Sequence, residues 1–83
     1  MTALERLLNT GYRLEVFQVN GGIENDIGVK FKDSEIKDGM FLISEYGVGQ
    51  TLEEACEDYI RQISGQTLVF HAYTDHRTEA TFI

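Results

Sequence analysis

The chain has no proline and no tryptophan, a single cysteine, and seven basic residues against fourteen acidic ones. Each shortage excludes something. Without proline there is no proline-rich linker or recognition tract. One cysteine, Cys56, rules out an internal disulfide framework and fits a reducing cytoplasm, the compartment expected here. No apolar run approaches the roughly 20 residues that a bilayer-crossing helix needs. The opening stretch MTALERLLNTG mixes an acid and a base with leucines and does not read as a secretory signal. The shortage of bases leaves a formal charge of −7, which repels nucleic acid and anionic lipid. Direct nucleic-acid binding and membrane association are therefore not expected, and a partner should be a neutral or basic protein surface.

What is present is enough for one small core. At 83 residues the chain is expected to form a single domain, residues 1–83. A chain of that size buries about 60% of the surface its unfolded form exposes. A hydrophobic fraction of 42% supports that core and argues against disorder.

TALERLLN predicts a short helix, with Thr2 and Glu5 as a capping box and Leu4, Leu7 and Leu8 as its stripe. YRLEVFQV alternates at strand period, with Tyr12, Leu14 and Val16 on one side and Phe17 and Val19 on the other. NGG at residues 20–22 is a turn signal, and DIGVKFK predicts the second strand. DSEIKDG reads as a polar connection, and MFLISEY predicts a third strand.

The tetrapeptide GQTL occurs twice and brackets one helix. At the first copy, Thr51 caps the start with Glu54 three residues on; at the second, Gly65 supplies a left-handed stop. Between them Leu52, Ala55, Cys56, Tyr59, Ile60 and Ile63 recur at helical spacing. TLVFHAY then predicts a strand, a turn falls at Asp75–Arg77, and a short return strand ends in Phe82 and Ile83. The predicted fold is α+β, an antiparallel sheet of four or five strands with two helices on one face, in the order α-β-β-β-α-β(β).

Little of this carries chemistry. His71, Asp75 and His76 are metal-ligand types, but a strand histidine and a turn histidine need not face each other, and zinc wants three or four convergent ligands. Cys56 could serve as a nucleophile only away from the stripe in which it sits, so it reads as a small core residue. GVGQ precedes a helix N-terminus, a place where anions bind, but Glu53, Glu54, Glu57 and Asp58 follow at once and would repel one. No nucleotide-binding or nucleophile-elbow motif is present. The expectation is a non-enzymatic protein with no cofactor, no catalytic residue and no metal ligand.

Two surfaces are candidates for contact with a partner, either another copy or a second protein. The first is the sheet face away from the helices, where Phe17 and Val19 would meet Phe41 and Ile43, or else Met40 and Leu42, depending on register, together with Val69 and Tyr73. The second is the acidic start of the longer helix, Glu53, Glu54, Glu57 and Asp58.

The stretch GQTLEEACEDYI resembles the G-x-T-x-x-E-A segment of HicB-type antitoxins, where a strand gives way to the main helix, and IGVKFKD is similar to the strand before it. The likeness spans about a third of the chain, without the family's proline-containing segment and without a DNA-binding extension. It implies a shared partial fold and, as a function, neutralisation of a partner. In size, acidity and lack of catalytic motifs the chain also resembles small accessory proteins of bacteriophages and prophages, some of which are acidic inhibitors that imitate nucleic acid, anti-CRISPR proteins among them. The order of elements is shared with double-stranded-RNA-binding domains too. Those place lysines at the start of the second helix, where this chain has TLEEACED.

Overall fold

Helix α1 (Ala3–Leu8) begins with the complete capping box: the Thr2 hydroxyl accepts from the Glu5 N–H, and the Glu5 carboxylate accepts from the Thr2 N–H. Gly11, at φ +83°, turns the chain away from it. The computed structural model describes residues 1–21 and 24–82, and the side chains of all of these outside residues 20, 21, 24 and 25. Strands β1 (Leu14–Gly21) and β2 (Glu24–Phe31) pair antiparallel along their whole length, from Leu14–Phe31 to Gly21–Glu24. Asn20 and Gly21, expected in the turn, belong to β1; the remaining residue of that turn, Gly22, lies outside the described residues, as does Ile83 at the end of the return strand.

The chain then continues as β3 (Ser34–Asp38), β4 (Phe41–Ile43), β5 (Gly47–Gly49), α2 (Leu52–Ile63), β6 (Thr67–Phe70) and β7 (Thr78–Thr81). The protein is α+β, with antiparallel strands and two helices. The expected single sheet is corrected to two: β1-β2-β5 and β4-β3-β6-β7. The physical reason is a two-residue corner. Lys32 N–H donates to Arg13 O at 2.8 Å, the last rung of the first sheet, and His71 N–H donates to Asp33 O at 2.9 Å, the first rung of the second. Asp33 takes a left-handed φ of 56°, which re-aims the strand between those two rungs. Ser34 closes the corner from inside, its buried hydroxyl donating to Phe31 O at 2.7 Å.

Two strands escaped the sequence reading. In β3, read as a polar connection, only Ser34 and Ile36 face inward and are buried, so one isoleucine is its whole apolar signal. β5 is the GVG of GVGQ. A Cβ on Gly47 would strike the Ala55 carbonyl and Tyr59, and one on Gly49 would strike Ala55 N–H and Glu54. The glycines are there because the α2 backbone lies directly on this strand.

Helix α2 is the centre of the core. Thr51 accepts from Glu54 N–H at its start, and Gly65, at φ +75°, follows its end as expected. Ala55, Cys56, Tyr59, Ile60 and Ile63 are buried and meet Leu7 of α1, Val29 and Phe31 of β2, Ile36 of β3, and Leu68 and Phe70 of β6 in one cluster. Burying Tyr59 and Ile63 contributes roughly 1.5–3 kcal/mol each. The Tyr59 hydroxyl also accepts from Phe31 N–H at 3.1 Å, satisfying the backbone of β2 just past the point where β5 stops pairing with it. Among the described residues no helix is long and apolar enough to cross a membrane.

Candidate interaction surface

Residues alternate across β1, so Glu15, Phe17 and Val19 face away from α2. Gly28 and Val48 stand opposite on the same face. The Phe17 ring occupies the space that a side chain at Gly28 would need, and it meets Tyr46 edge-on at 5.2 Å between centroids. Phe17 and Tyr46 are 36% and 39% exposed, with Val19 and Val48 half-buried beside them. Among the described residues no helix covers this side of the sheet. The result is a small, ordered aromatic and aliphatic patch, of which the sequence pointed to Phe17 and Val19 and missed Tyr46 and Val48.

The other predicted members of the patch do not join it, because they belong to the second sheet. Phe41 and Ile43 pair with Asp38 and Ile36, which places both on the core-facing side of β4. Leu42 takes the outer side instead, opposite Lys37. Phe41 nevertheless stands 76% exposed at the sheet edge. Val69 is on the outer side of β6 but is fully buried, between Glu35 and Glu79 on its neighbouring strands. The Lys37–Glu79 ion pair, 3.3 Å, spans β6 across that face. Lys37, by hydrogen bond and charge, and Arg77 beside it hold the Glu79 carboxyl below the usual carboxylate range. Tyr73, 84% exposed, is in the β6–β7 connection. One continuous patch was expected, and the corner at Asp33 divides it.

The acidic start of α2 is divided as well. The Glu53 carboxylate accepts from Ala3 N–H at 2.7 Å and Leu4 N–H at 3.2 Å, tying the first turn of α1 to α2. Asp58 accepts from Val48 N–H at 3.0 Å and pairs with Arg61 at 3.2 Å, while the Gln62 amide donates to Tyr46 O at 3.0 Å. Together Asp58 and Gln62 engage Val48 N–H in β5 and Tyr46 O just before it, on the edge of the sheet away from β2. The Gln62 carbonyl oxygen is buried without a partner among the described residues. Glu54 and Glu57 alone of the four acids are exposed.

The reactive side chains stay apart. Cys56 is buried in the core, where desolvation first, and the Glu53 charge second, push its thiol up from the ordinary value of 9.0. His71 follows β6, its Nδ1 3.7 Å from an Asp33 carboxylate oxygen, and Asp75 and His76 lie further along the exposed connection. Among the described residues no three of His, Cys, Asp or Glu are grouped to hold a metal ion. A polar cleft of about 400 Å³ between the sheets is lined by Glu15, Lys30, Asp33, Glu35, His71 and Tyr73, among others.

Compared with protein-family models, with curated proteins and with solved structures, the chain matches none.

Proposed function

We propose that this chain is a small acidic protein-interaction module that works by contact, with no catalytic step, and that the outer face of its three-stranded sheet is where a partner sits. The observation that carries the reading is the Phe17–Tyr46 pair: two exposed aromatic rings, set edge-on to each other with Phe17 lying over Gly28, on a sheet face that no helix covers among the described residues. Aromatic anchors fixed in one orientation lose little freedom on binding, which is why such residues dominate protein contacts. The formal charge of −7 directs that contact to a neutral or basic surface, another copy of the chain included once salt screens the repulsion. A lone thiol held in the core supports the cytoplasm as the place of action.

Phe17→Glu tests the reading. The substituted residue is already partly exposed, so the fold should survive, with an unchanged circular-dichroism spectrum, while binding at the face is lost. Solution mass and cross-linked partners that are the same for the variant and the natural chain would refute a contact role for this face.

A further inference from the structure

The three-stranded sheet has two edges, and they are treated differently. On the β5 edge, Asp58 takes up Val48 N–H and Gln62 takes up Tyr46 O just before the strand. The β1 edge is eight residues long, with an uninterrupted register and no proline. The rung from Lys32 N–H to Arg13 O fixes its parity: Glu15, Phe17 and Val19 bond inward to β2, so the N–H and C=O groups of Leu14, Val16 and Gln18 point away from the sheet. Long unpaired edges of this kind are templates for another strand. On the side of Leu14 the start of this edge is apolar: Val16 is 54% exposed, and Tyr12, just before the strand, is 39% exposed with one face of its ring stacked on Phe70.

We infer that the start of β1 pairs antiparallel with the same segment of a second copy of this chain, residues 12–16 against residues 16–12 about a two-fold axis through Leu14, to join two three-stranded sheets into one of six strands. The inference goes beyond the proposed reading, since it concerns the edge of the sheet and not its face. The choice of a second copy comes from self-complementarity. In this register Leu14 faces Leu14 and Val16 faces Tyr12 of the other copy, so the exposed apolar groups cover one another. On the opposite side Arg13 faces Glu15, and by symmetry Glu15 faces Arg13, giving two ion pairs. Neighbouring two-fold registers lose this match: an axis at Glu15 sets the two glutamates together, and one at Val16 sets Glu15 against Phe17. The ladder opens at the Tyr12 carbonyl, which accepts from Val16 N–H of the other copy, because Tyr12 N–H already donates to the Thr10 hydroxyl at 3.2 Å; four hydrogen bonds result, from Tyr12 to Val16.

Charge exchange across the axis is the test. Solution mass is measured against concentration by sedimentation equilibrium for the natural chain, for Arg13→Glu, for Glu15→Arg and for the double exchange. The natural chain should dimerise. Either single exchange sets like charges together at both ends and should weaken the dimer on the order of tenfold, and the double exchange should restore it. A natural chain that stays monomeric, or a dimer that neither single exchange weakens, overturns the inference. Phe17→Glu separates the two proposals: a dimer lost with Phe17→Glu but indifferent to charge exchange refutes the edge pairing and supports the face. A dimer sensitive to exchange and indifferent to Phe17→Glu supports the edge.

Discussion

Asp33 and His71 face each other across the rung that opens the second sheet, and both hold a left-handed backbone, φ 56° and 54°. Among the described residues they are the two non-glycine positions that do so, and their side chains come within 3.7 Å. Asp33 lies between β2 and β3, and His71 follows β6. A left-handed residue on each strand at the same rung lets both chains change direction together, which is how one extended segment serves two sheets.

That pairing makes the corner sensitive to backbone preference. A left-handed residue with a Cβ costs about 1–2 kcal/mol, and a β-branched one tolerates the region worst. His71→Gly should leave stability nearly unchanged, because relief of strain is offset by the extra freedom of glycine in the unfolded chain. His71→Val should lose about 1–2 kcal/mol against His71→Gly. Urea midpoints measure the difference, and equal midpoints would show that the corner stores no strain.

The glycines of β5 make a second prediction. Gly47→Ala and Gly49→Ala each drive a methyl into the α2 backbone, which cannot swing aside. Each should cost about 1–3 kcal/mol, the range for overpacking. At Gly28 the obstacle is the Phe17 ring, which can rotate into solvent. Gly28→Ala should therefore cost less in urea unfolding and should perturb the contact between Phe17 and Tyr46, read as a change in tyrosine fluorescence.

The acids of α2 should separate into two classes under alanine substitution. Glu53→Ala frees two N–H groups at the start of α1, and Asp58→Ala uncovers the β5 edge. A hydrogen bond to a charged group contributes about 1.5–3 kcal/mol, and losses near the lower end are expected at these half-buried positions. Glu54→Ala and Glu57→Ala should stay within about 0.5 kcal/mol of the natural chain. Hydrogen exchange at the Ala3 and Leu4 amides should accelerate in Glu53→Ala; unchanged protection there would show that the tie does not hold α1.

These residues also show what the sequence made readable. Both helices were legible, since capping residues and a 3.6-residue stripe are local signals: Thr2, Glu5, Thr51 and Gly65 all act at the ends they were read at. β3 and β5 were not, because each is defined by a neighbour distant in sequence. Ile36 earns its burial from α2 and β6, and GVG is a strand because α2 lies on it. The same limit governed the surface. Phe17 and Val19 were readable from alternation along β1, whereas the assignment of Phe41 and Val69 depended on the corner at Asp33, for which an ordinary aspartate gives no warning. The acidic run likewise hid two structural ligands, Glu53 and Asp58, behind a composition that suggested one charged face.

The thiol of Cys56 gives the pH dependence a sign. Burial and the charge of Glu53 raise its folded value above the ordinary 9.0. Below that ordinary value the thiol is protonated in both folded and unfolded chains, and its contribution to stability is fully present. As pH rises past 9.0 the unfolded chain loses the proton first, so stability falls until the folded thiol ionises as well. Urea midpoints of the natural chain should therefore drop relative to Cys56→Ala as pH rises above this value, the alanine variant subtracting the contributions of lysine and tyrosine. Because the thiolate is the reactive form, an aromatic disulfide reagent should modify Cys56 slowly in the folded protein and fast in urea. A folded-state rate equal to that in urea would place the thiol outside the core.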